Sequence, residues 1–348
     1  MAQMGETSDI AAEVSRVFLG IQIQCAQCHD HFTDRWKREQ FHHFAAFFPR
    51  IAIARGQGDG LDRFRVVSYD SAPRRAAGKN PDNPRRGDLE HEMPDKDDPS
   101  KPGRVMRPQF FLGATGVPLG TGDQERRRAV ARAITADENP WFARAVVNRV
   151  WAELVGDGLY AGIDDLGPDR EPREPETLQR LCGEFVAAGC DLRVLCRLIM
   201  ATPAYQAVSR SRGATDATAA TSSCPQRLRS DQLFTQILAA LGVDEGAIGG
   251  GVARKGAKSQ QLGRPRFSFT EVFGYDPSLP REEIVGSIPQ ALLLMNSEPL
   301  AQALDGDRRG TPLGRLLAEH PDDRDAADAI YVRVLARHPS PAELATCM

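Results

Sequence analysis

Two cysteines and a histidine near the start of the chain have the spacing that is most informative chemically. Cys25-Ala-Gln-Cys28-His29 has the Cys-x-x-Cys-His pattern of c-type haem attachment. Two thiols about one helical turn apart can each form a thioether with a haem vinyl group, and the adjacent imidazole can then reach the iron. The pattern therefore favours haem c bound through Cys25, Cys28 and His29, with His29 as the proximal ligand.

Further histidines close to this motif keep a zinc site open as the alternative. His29, His31, His42 and His43 are four of the seven histidines in the chain. Cys25 and Cys28 form a good zinc half-site, and His42 or His43 follows at a finger-like distance. Because His42 and His43 are adjacent, they do not complete a standard Cys2His2 pattern, so zinc with His29, His42 and His43 ranks second. A structural cysteine pair and a redox dithiol are the remaining interpretations.

The second axial ligand of a bound haem would indicate what the site does. His42, His43, Met93 and Met106 are the candidates for that position. A histidine or methionine there favours electron transfer with a redox partner protein, whereas an empty position favours small-molecule binding or catalysis.

Composition excludes several functional classes. The chain has 348 residues, 41% hydrophobic residues and a formal net charge of −3, which allows a sizeable core. This charge balance does not indicate binding to nucleic acid or to a membrane surface, and no stretch is apolar enough for an integral membrane segment. The charge run Arg126-Arg127-Arg128 is expected to be a solvated face. The sequence predicts no oligomeric state.

The pattern of apolar residues predicts a mainly α, multi-helical protein with a small β or irregular insertion. Residues 1–50 and 126–348 have helical spacing, including a helix from Trp36 to Phe48. Residues 51–125 contain short alternating segments that predict strands, separated by a polar loop over Ser71–Gly103. Residues 209–226 and 244–265 are expected to be loose. Helix starts are predicted from capping residues, which are Asn139, Asp191, Ser230 and Ser340.

A group of carboxylates raises the question of an enzymatic activity. Asp164, Asp165 and Asp169 lie close together in a turn, which suits acid–base chemistry or a hard cation. Turn chemistry is favoured instead, with Asn148 and Arg149 pairing with the aspartates and fixing the loop against the preceding helix. Whether the protein is an enzyme stays open, and no catalytic residue is predicted. If the Cys/His cluster holds zinc or another metal and no haem, the alternative function is a metal-stabilised extracytoplasmic binding or hydrolase-like module.

Longer blocks of sequence carry a family resemblance. Asn139–Trp151 followed by Asp164–Pro168 resembles the DUF1553 (PSD1) domain of planctomycete proteins, and Ile288–Asn296 and Tyr331–Pro339 look like its later blocks. Phe18–His31 resembles the end of the DUF1549 (PSCyt2) domain. The resemblance implies a DUF1549-like end over residues 1–50, a linker region over 51–125 and a DUF1553-like helical domain over 126–348. It also implies a cytochrome-like, extracytoplasmic protein, for which no activity or substrate is established.

The chain ends raise an expectation about completeness. Met1–Glu13 lacks the basic start and apolar core of a signal peptide, although haem c is attached outside the cytoplasm in bacteria. Near the other end, Ser340 opens a capping box only a few residues before Met348. We therefore expect the chain to be a fragment that is truncated within the DUF1553-like domain.

Overall fold

Helices make up most of the chain, and the predicted mainly α fold class is confirmed. The computed structural model describes residues 7–55, 64–68, 70, 90–98, 100–207, 223, 227–243, 265–275, 286–307 and 310–348. The chain divides into two compact units, residues 1–225 and 226–348. The predicted region boundaries at 50 and 125 both lie inside the first unit, and the predicted helical region 126–348 spans both units. No helix within the described ranges is long and apolar enough to cross a membrane.

The described part of the first unit contains seven α-helices and the short turn that carries most of the Cys-x-x-Cys motif. They are α1 (Thr7–Leu19), the 3₁₀ turn η1 (Gln24–Gln27), α2 (Arg38–Ala45), α3 (Asp123–Ile134), α4 (Pro140–Val155), α5 (Pro175–Ala187), α6 (Leu192–Met200) and α7 (Pro203–Gln206). Those of the second unit are α8 (Ser230–Leu241), α9 (Pro265–Phe273), α10 (Ile288–Asn296), α11 (Glu298–Ala303), α12 (Pro312–Glu319), α13 (Asp323–Leu335) and α14 (Pro341–Cys347).

Local capping chemistry sets several helix starts where the sequence predicts them. The Asn139 side chain accepts a hydrogen bond from the Trp141 N–H at 3.2 Å, and Asp191 accepts one from Arg193 at 2.8 Å. Ser340 accepts from the Glu343 N–H at 3.3 Å. Each oxygen satisfies a backbone donor that the first helical turn leaves free.

Helix α2 is shorter than predicted. It begins at Arg38 rather than Trp36, where the Gln40 side chain accepts from the Lys37 N–H at 2.8 Å. After Ala45 the chain tightens, because Phe47 donates to the Phe44 carbonyl at 3.1 Å. Such i to i−3 bonds are typical of a helix that ends in a 3₁₀ turn.

Two antiparallel strand pairs form the β insertion. Strand β1 (Ile51–Arg55) pairs with β2 (Phe64–Ser68), and Ile51 lies opposite Ser68. Strand β3 (His91–Met93) pairs with β4 (Arg104–Met106), and His91 lies opposite Met106. The loop predicted over Ser71–Gly103 is therefore wrong at β3, while residues 71–89 lie outside the described residues. Almost all of the segments 209–226 and 244–265 also lie outside them.

One core occupies the first unit and another occupies the second. Burying a large apolar side chain contributes about 1.5–3 kcal/mol, and the first core collects such side chains from six helices. Among them are Leu19 of α1, Phe41 and Phe44 of α2, Val130 and Ile134 of α3, Trp151 and Val155 of α4, Leu181 and Phe185 of α5, and Leu195 and Ile199 of α6. The second core contains Phe234, Leu238, Phe269 and Phe273.

The charge run at residues 126–128 is only partly a solvated face. Arg127 and Arg128 are exposed as predicted, but Arg126 is 0% exposed, so the prediction is wrong for Arg126. Its guanidinium binds both Glu90 carboxylate oxygens, at 2.6 and 2.7 Å, and the Ala46 carbonyl at 2.8 Å. A carboxylate and a backbone carbonyl together compensate for the cost of burying the charge.

Candidate functional site

The turn η1 presents the Cys-x-x-Cys motif at the surface of the first unit. Ile23 and Ala26 are buried in the core, whereas Cys25 and Cys28 are exposed free thiols. His29, directly after the turn, is exposed as well. The apolar residues therefore anchor the turn, and the three predicted haem-binding side chains all reach solvent from one short segment.

A backbone hydrogen bond orients the His29 ring. Its Nδ1 lies 2.7 Å from the Asp30 carbonyl oxygen. A carbonyl oxygen can only accept, so Nδ1 carries the proton and Nε2 of the neutral ring keeps its lone pair. Histidines that bind metals usually donate their other N–H in this way. The Phe32 ring, which is 84% exposed, lies 4.1 Å from the His29 ring between centroids.

The first turn of α2 holds Asp30 in place. The Asp30 carboxylate accepts hydrogen bonds from the Arg38 backbone N–H and from Lys37 Nζ, each at 3.0 Å. These two donors, the Arg38 N–H first, keep the pKa of Asp30 below its usual value. Free N–H groups at a helix start favour a carboxylate. Fixing Asp30 also fixes the carbonyl to which His29 donates.

His42 on α2 is buried, and both of its ring nitrogens form hydrogen bonds, one of them with turn η1. Its Nε2 lies 2.9 Å from the Gln27 carbonyl oxygen, and its Nδ1 lies 2.9 Å from Nε2 of His91. Burial lowers the pKa of His42 to about 4 and that of His91 to about 3, so both rings are neutral at pH 7. Because the Gln27 carbonyl oxygen can only accept, His42 is protonated on Nε2. His91 must then donate to His42 Nδ1.

The His43 ring makes one hydrogen bond and one longer contact with a carboxylate. Its Nδ1 lies 2.7 Å from the Arg107 carbonyl oxygen, and its Nε2 lies 3.7 Å from the Glu39 carboxylate. Throughout the part of the chain that the structure describes, no group of three or more His, Cys, Asp and Glu side chains is arranged to hold a metal ion. The structure thus brings His42 to the motif through Gln27 rather than through either thiol.

The two methionines proposed as second axial ligands lie in the β3–β4 pair. Met106 is buried and lies opposite His91, whereas Met93 is half-buried and lies opposite Arg104. Both therefore belong to the element that also carries the buried His91 ring.

The carboxylates at residues 164–169 are each paired with arginine. These ion pairs are Asp164 with Arg16 at 2.9 Å and Arg149 at 2.7 Å, Asp165 with Arg170 at 3.3 Å, and Asp169 with Arg35 at 2.6 Å. Asn148 accepts from the Tyr160 N–H and donates to the Ile163 carbonyl, each at 3.0 Å. Arg149 therefore pairs with an aspartate of the loop as predicted, whereas Asn148 binds backbone groups of the loop rather than an aspartate. Both residues fix the loop against α4.

Comparison with known families adds to this geometry. Residues 1–52 match the family model of PSCyt2, a protein of unknown function (DUF1549), and residues 126–267 match that of PSD1, a protein of unknown function (DUF1553). The chain carries a PSCyt2 region and a PSD1 region. No curated protein and no solved structure is similar enough to count as a match. The Cys-x-x-Cys-His motif belongs to the PSCyt2 region.

An arginine of the PSD1 region ties the two regions together. Arg149 on α4 donates to the Arg16 carbonyl at 2.6 Å and to the Val17 carbonyl, both at the end of α1. The same guanidinium binds Asp164, which also accepts from the Arg16 side chain at 2.9 Å. The last carbonyls of a helix lack partners within it, so Arg149 caps α1 with charge of the favourable sign.

Sequence reasoning missed His91, which contacts the candidate ligand His42. Strand β3 has only three residues, too few to show the alternation that predicts a strand. Its partner on α2 is 49 residues away in sequence. A lone histidine in a polar segment gives no sign of such a pairing.

Proposed function

We propose that the PSCyt2 region attaches haem c through Cys25 and Cys28, with Nε2 of His29 as the proximal iron ligand. The observation that carries this proposal is the His29–Asp30 hydrogen bond. It commits Nδ1–H to a carbonyl and leaves the Nε2 lone pair beside two exposed, reduced thiols on one turn. Two thiols for the thioethers, and an imidazole whose other ring nitrogen donates to a backbone carbonyl, are the groups that a haem c site uses.

The attachment step is an addition that needs no oxidant. Cys25 and Cys28 would hold the haem through thioethers, each thiol adding across one vinyl group with its sulfur on one vinyl carbon and its hydrogen on the other. The chain contributes two free thiols with open access, because Cys25 and Cys28 are exposed and unpaired with any other cysteine of the described residues. Haem c is attached outside the cytoplasm in bacteria, and the proposal therefore includes an extracytoplasmic location.

An exposed attachment site suits electron transfer to another protein. A haem with histidine ligation supplies one-electron chemistry at its iron. The residues of the chain hold the imidazole through Asp30, keep both thiols at the surface and add the exposed Phe32 ring beside them. A redox partner protein approaching this face would meet the site without any rearrangement of the core.

Zinc is the competing occupant of the same thiols. A zinc site would have to recruit His42 or His43, whose ring nitrogens already contact Gln27, His91, Arg107 and Glu39. A zinc ligand drawn from His42 would break either its buried hydrogen bond with His91 or its part-buried bond with Gln27. Haem c held by Cys25, Cys28 and His29 leaves both bonds intact, and this difference favours haem c over a zinc site that uses His42.

The test is expression of the full chain with an export signal and the haem c maturation machinery. After denaturing extraction of free haem, we expect a pyridine haemochrome signal of about one haem per chain. Cys25→Ser with Cys28→Ser should abolish it, while Cys190→Ser, which removes an exposed thiol elsewhere in the same unit, should not. Colourless protein with one bound zinc would establish the alternative, and colourless protein without metal would overturn both.

A further inference from the structure

The hydrogen-bond chain beneath the Cys-x-x-Cys turn has no part in the attachment step itself. It runs from His91 on β3 to His42 on α2 and from His42 to the Gln27 carbonyl. Both rings are buried, and their planes are inclined by only 21° with centroids 5.1 Å apart, as expected for two imidazoles joined edge to edge by a hydrogen bond. Gln27 lies between the two cysteines in sequence. This series of hydrogen bonds therefore ends on the backbone of the Cys-x-x-Cys motif.

Turn η1 depends on donors from outside itself. It spans only Gln24–Gln27, and its N-cap residue Ile23 makes no side-chain cap. The carbonyls at the end of so short a turn have no partners within it. Gln27 accepts from His42 at 2.9 Å and, less closely, from Arg38 Nε at 3.4 Å. Among the described contacts, His42 supplies the shorter of these two bonds.

We infer that His42 and His91 are positioning residues that hold the Cys25–Cys28 turn with both thiols at the surface. The inference rests on the proposed function for its purpose, since haem attachment needs both thiols presented together. Its physical content is independent of haem, because the hydrogen-bond chain ends on the polypeptide backbone. His91 orients His42, and His42 fixes the carbonyl between the thiols.

The donors and acceptors in the His91–His42–Gln27 series of hydrogen bonds determine which substitutions should preserve it. Glutamine has both a donor and an acceptor on its side chain, so His42→Gln can still donate to Gln27 and accept from His91. His42→Leu can do neither and leaves the Gln27 carbonyl without its main donor. His91→Phe keeps an aromatic ring at this position but removes the donor to His42. These three variants separate hydrogen bonding from packing.

The first experiment measures thiol reactivity in the haem-free full chain. Alkylation rates of Cys25 and Cys28 are followed peptide by peptide, with the exposed thiol of Cys190 as the internal standard. We expect His42→Leu and His91→Phe to change the Cys25 and Cys28 rates several-fold, with the reduction potential of their disulfide shifting too. In His42→Gln, the alkylation rates and the reduction potential should stay close to those of the unsubstituted protein. Unchanged rates and potential in folded His42→Leu and His91→Phe protein would overturn the inference.

A second measurement uses the unsubstituted protein, in case the variants do not fold. Ring ¹⁵N chemical shifts distinguish the two neutral tautomers of histidine. We expect His42 and His91 both to be protonated on Nε2 at pH 7. Protonation of His42 on Nδ1 would show that it does not donate to Gln27 and would overturn the inference.

The two proposals fail in different ways. When haem is loaded, we expect His42→Leu to lower covalent haem per chain about tenfold, the lower end of the effect of losing a supporting contact at a metal site. Absence of haem from all variants and from the unsubstituted protein would defeat the proposed function alone. The thiol rates and ring tautomers would still decide the role of His42 and His91.

Discussion

At the scale of single residues, burial of the His42 and His91 rings makes the first unit sensitive to acid. Burial lowers the pKa of His42 to about 4 and that of His91 to about 3, against 6.5 for a histidine in an unfolded chain. Below pH 6.5 the unfolded chain therefore binds protons that the folded chain does not. The stabilisation from the neutral pair is complete above pH 6.5 and is lost as pH falls toward 4 and then 3.

We predict that His42→Gln combined with His91→Gln flattens this acid dependence. A pKa difference of one unit corresponds to about 1.4 kcal/mol. Between pH 7 and pH 4, the free energy of unfolding should therefore decrease in both proteins, but the decrease should be a few kcal/mol smaller in the double variant than in the unsubstituted protein. Urea unfolding at several pH values measures the difference. His320→Gln, in the second unit, is the control and should leave the slope for the first unit unchanged. Parallel profiles for the double variant and the unsubstituted protein would contradict the prediction.

At the scale of elements, α1 and α4 are joined by charge as well as by packing. Gly20, just after α1, has a φ of +67°, and a Cβ there would lie 3.0 Å from Leu166. The Gly20 carbonyl also accepts from the Leu166 N–H at 2.7 Å. These contacts, together with the hydrogen bonds from Arg149 to the last carbonyls of α1, pack helix α1 of the PSCyt2 region directly against the loop that follows α4 in the PSD1 region.

We predict that Arg149→Met weakens this junction. It removes the charged donors to the Arg16 and Val17 carbonyls and one of the two arginines on Asp164. The free energy of unfolding of the first unit should fall by about 2 kcal/mol, as expected for charged hydrogen bonds. Urea unfolding measures it. Arg128→Met, at an exposed position on α3, is the matched control, and an equal effect of the two changes would refute the role given to Arg149.

At the scale of the whole molecule, the two compact units do not coincide with the two family matches. The PSD1 match ends at residue 267, whereas the unit boundary lies between residues 225 and 226. Each unit has its own buried apolar cluster, one around α1–α6 and one around Phe234 and Phe269. A separate core is what allows a segment to fold alone.

We predict that residues 1–225, produced alone, unfold in one cooperative transition. The first core lies wholly within this segment, so its packing does not need the second. Circular dichroism and near-ultraviolet signals followed together in urea provide the measurement, and the full chain provides the reference midpoint. A segment with helical signal but no cooperative transition would show that the first core depends on residues 226–348.

The sequence by itself determined most of the longer helices, because their signals are local, whereas it missed the three-residue strand β3. Asn139, Asp191 and Ser340 act on backbone donors two or three residues away, and helical spacing marks α4 and α5 directly. It also identified the Cys25–His29 pentapeptide, whose chemistry lies within five residues. The pairing of Asn148 and Arg149 with the following loop was predictable for the same reason.

Only the tertiary structure decided which polar residues meet across long distances in the chain. The sequence predicts that Arg126 belongs to a solvated charge run, whereas in the structure it binds Glu90, which lies 36 residues earlier. His42 reads as a zinc ligand until His91 and Gln27 take up its two nitrogens. A buried polar group must find a partner wherever the fold supplies one, and that requirement leaves no local trace in sequence.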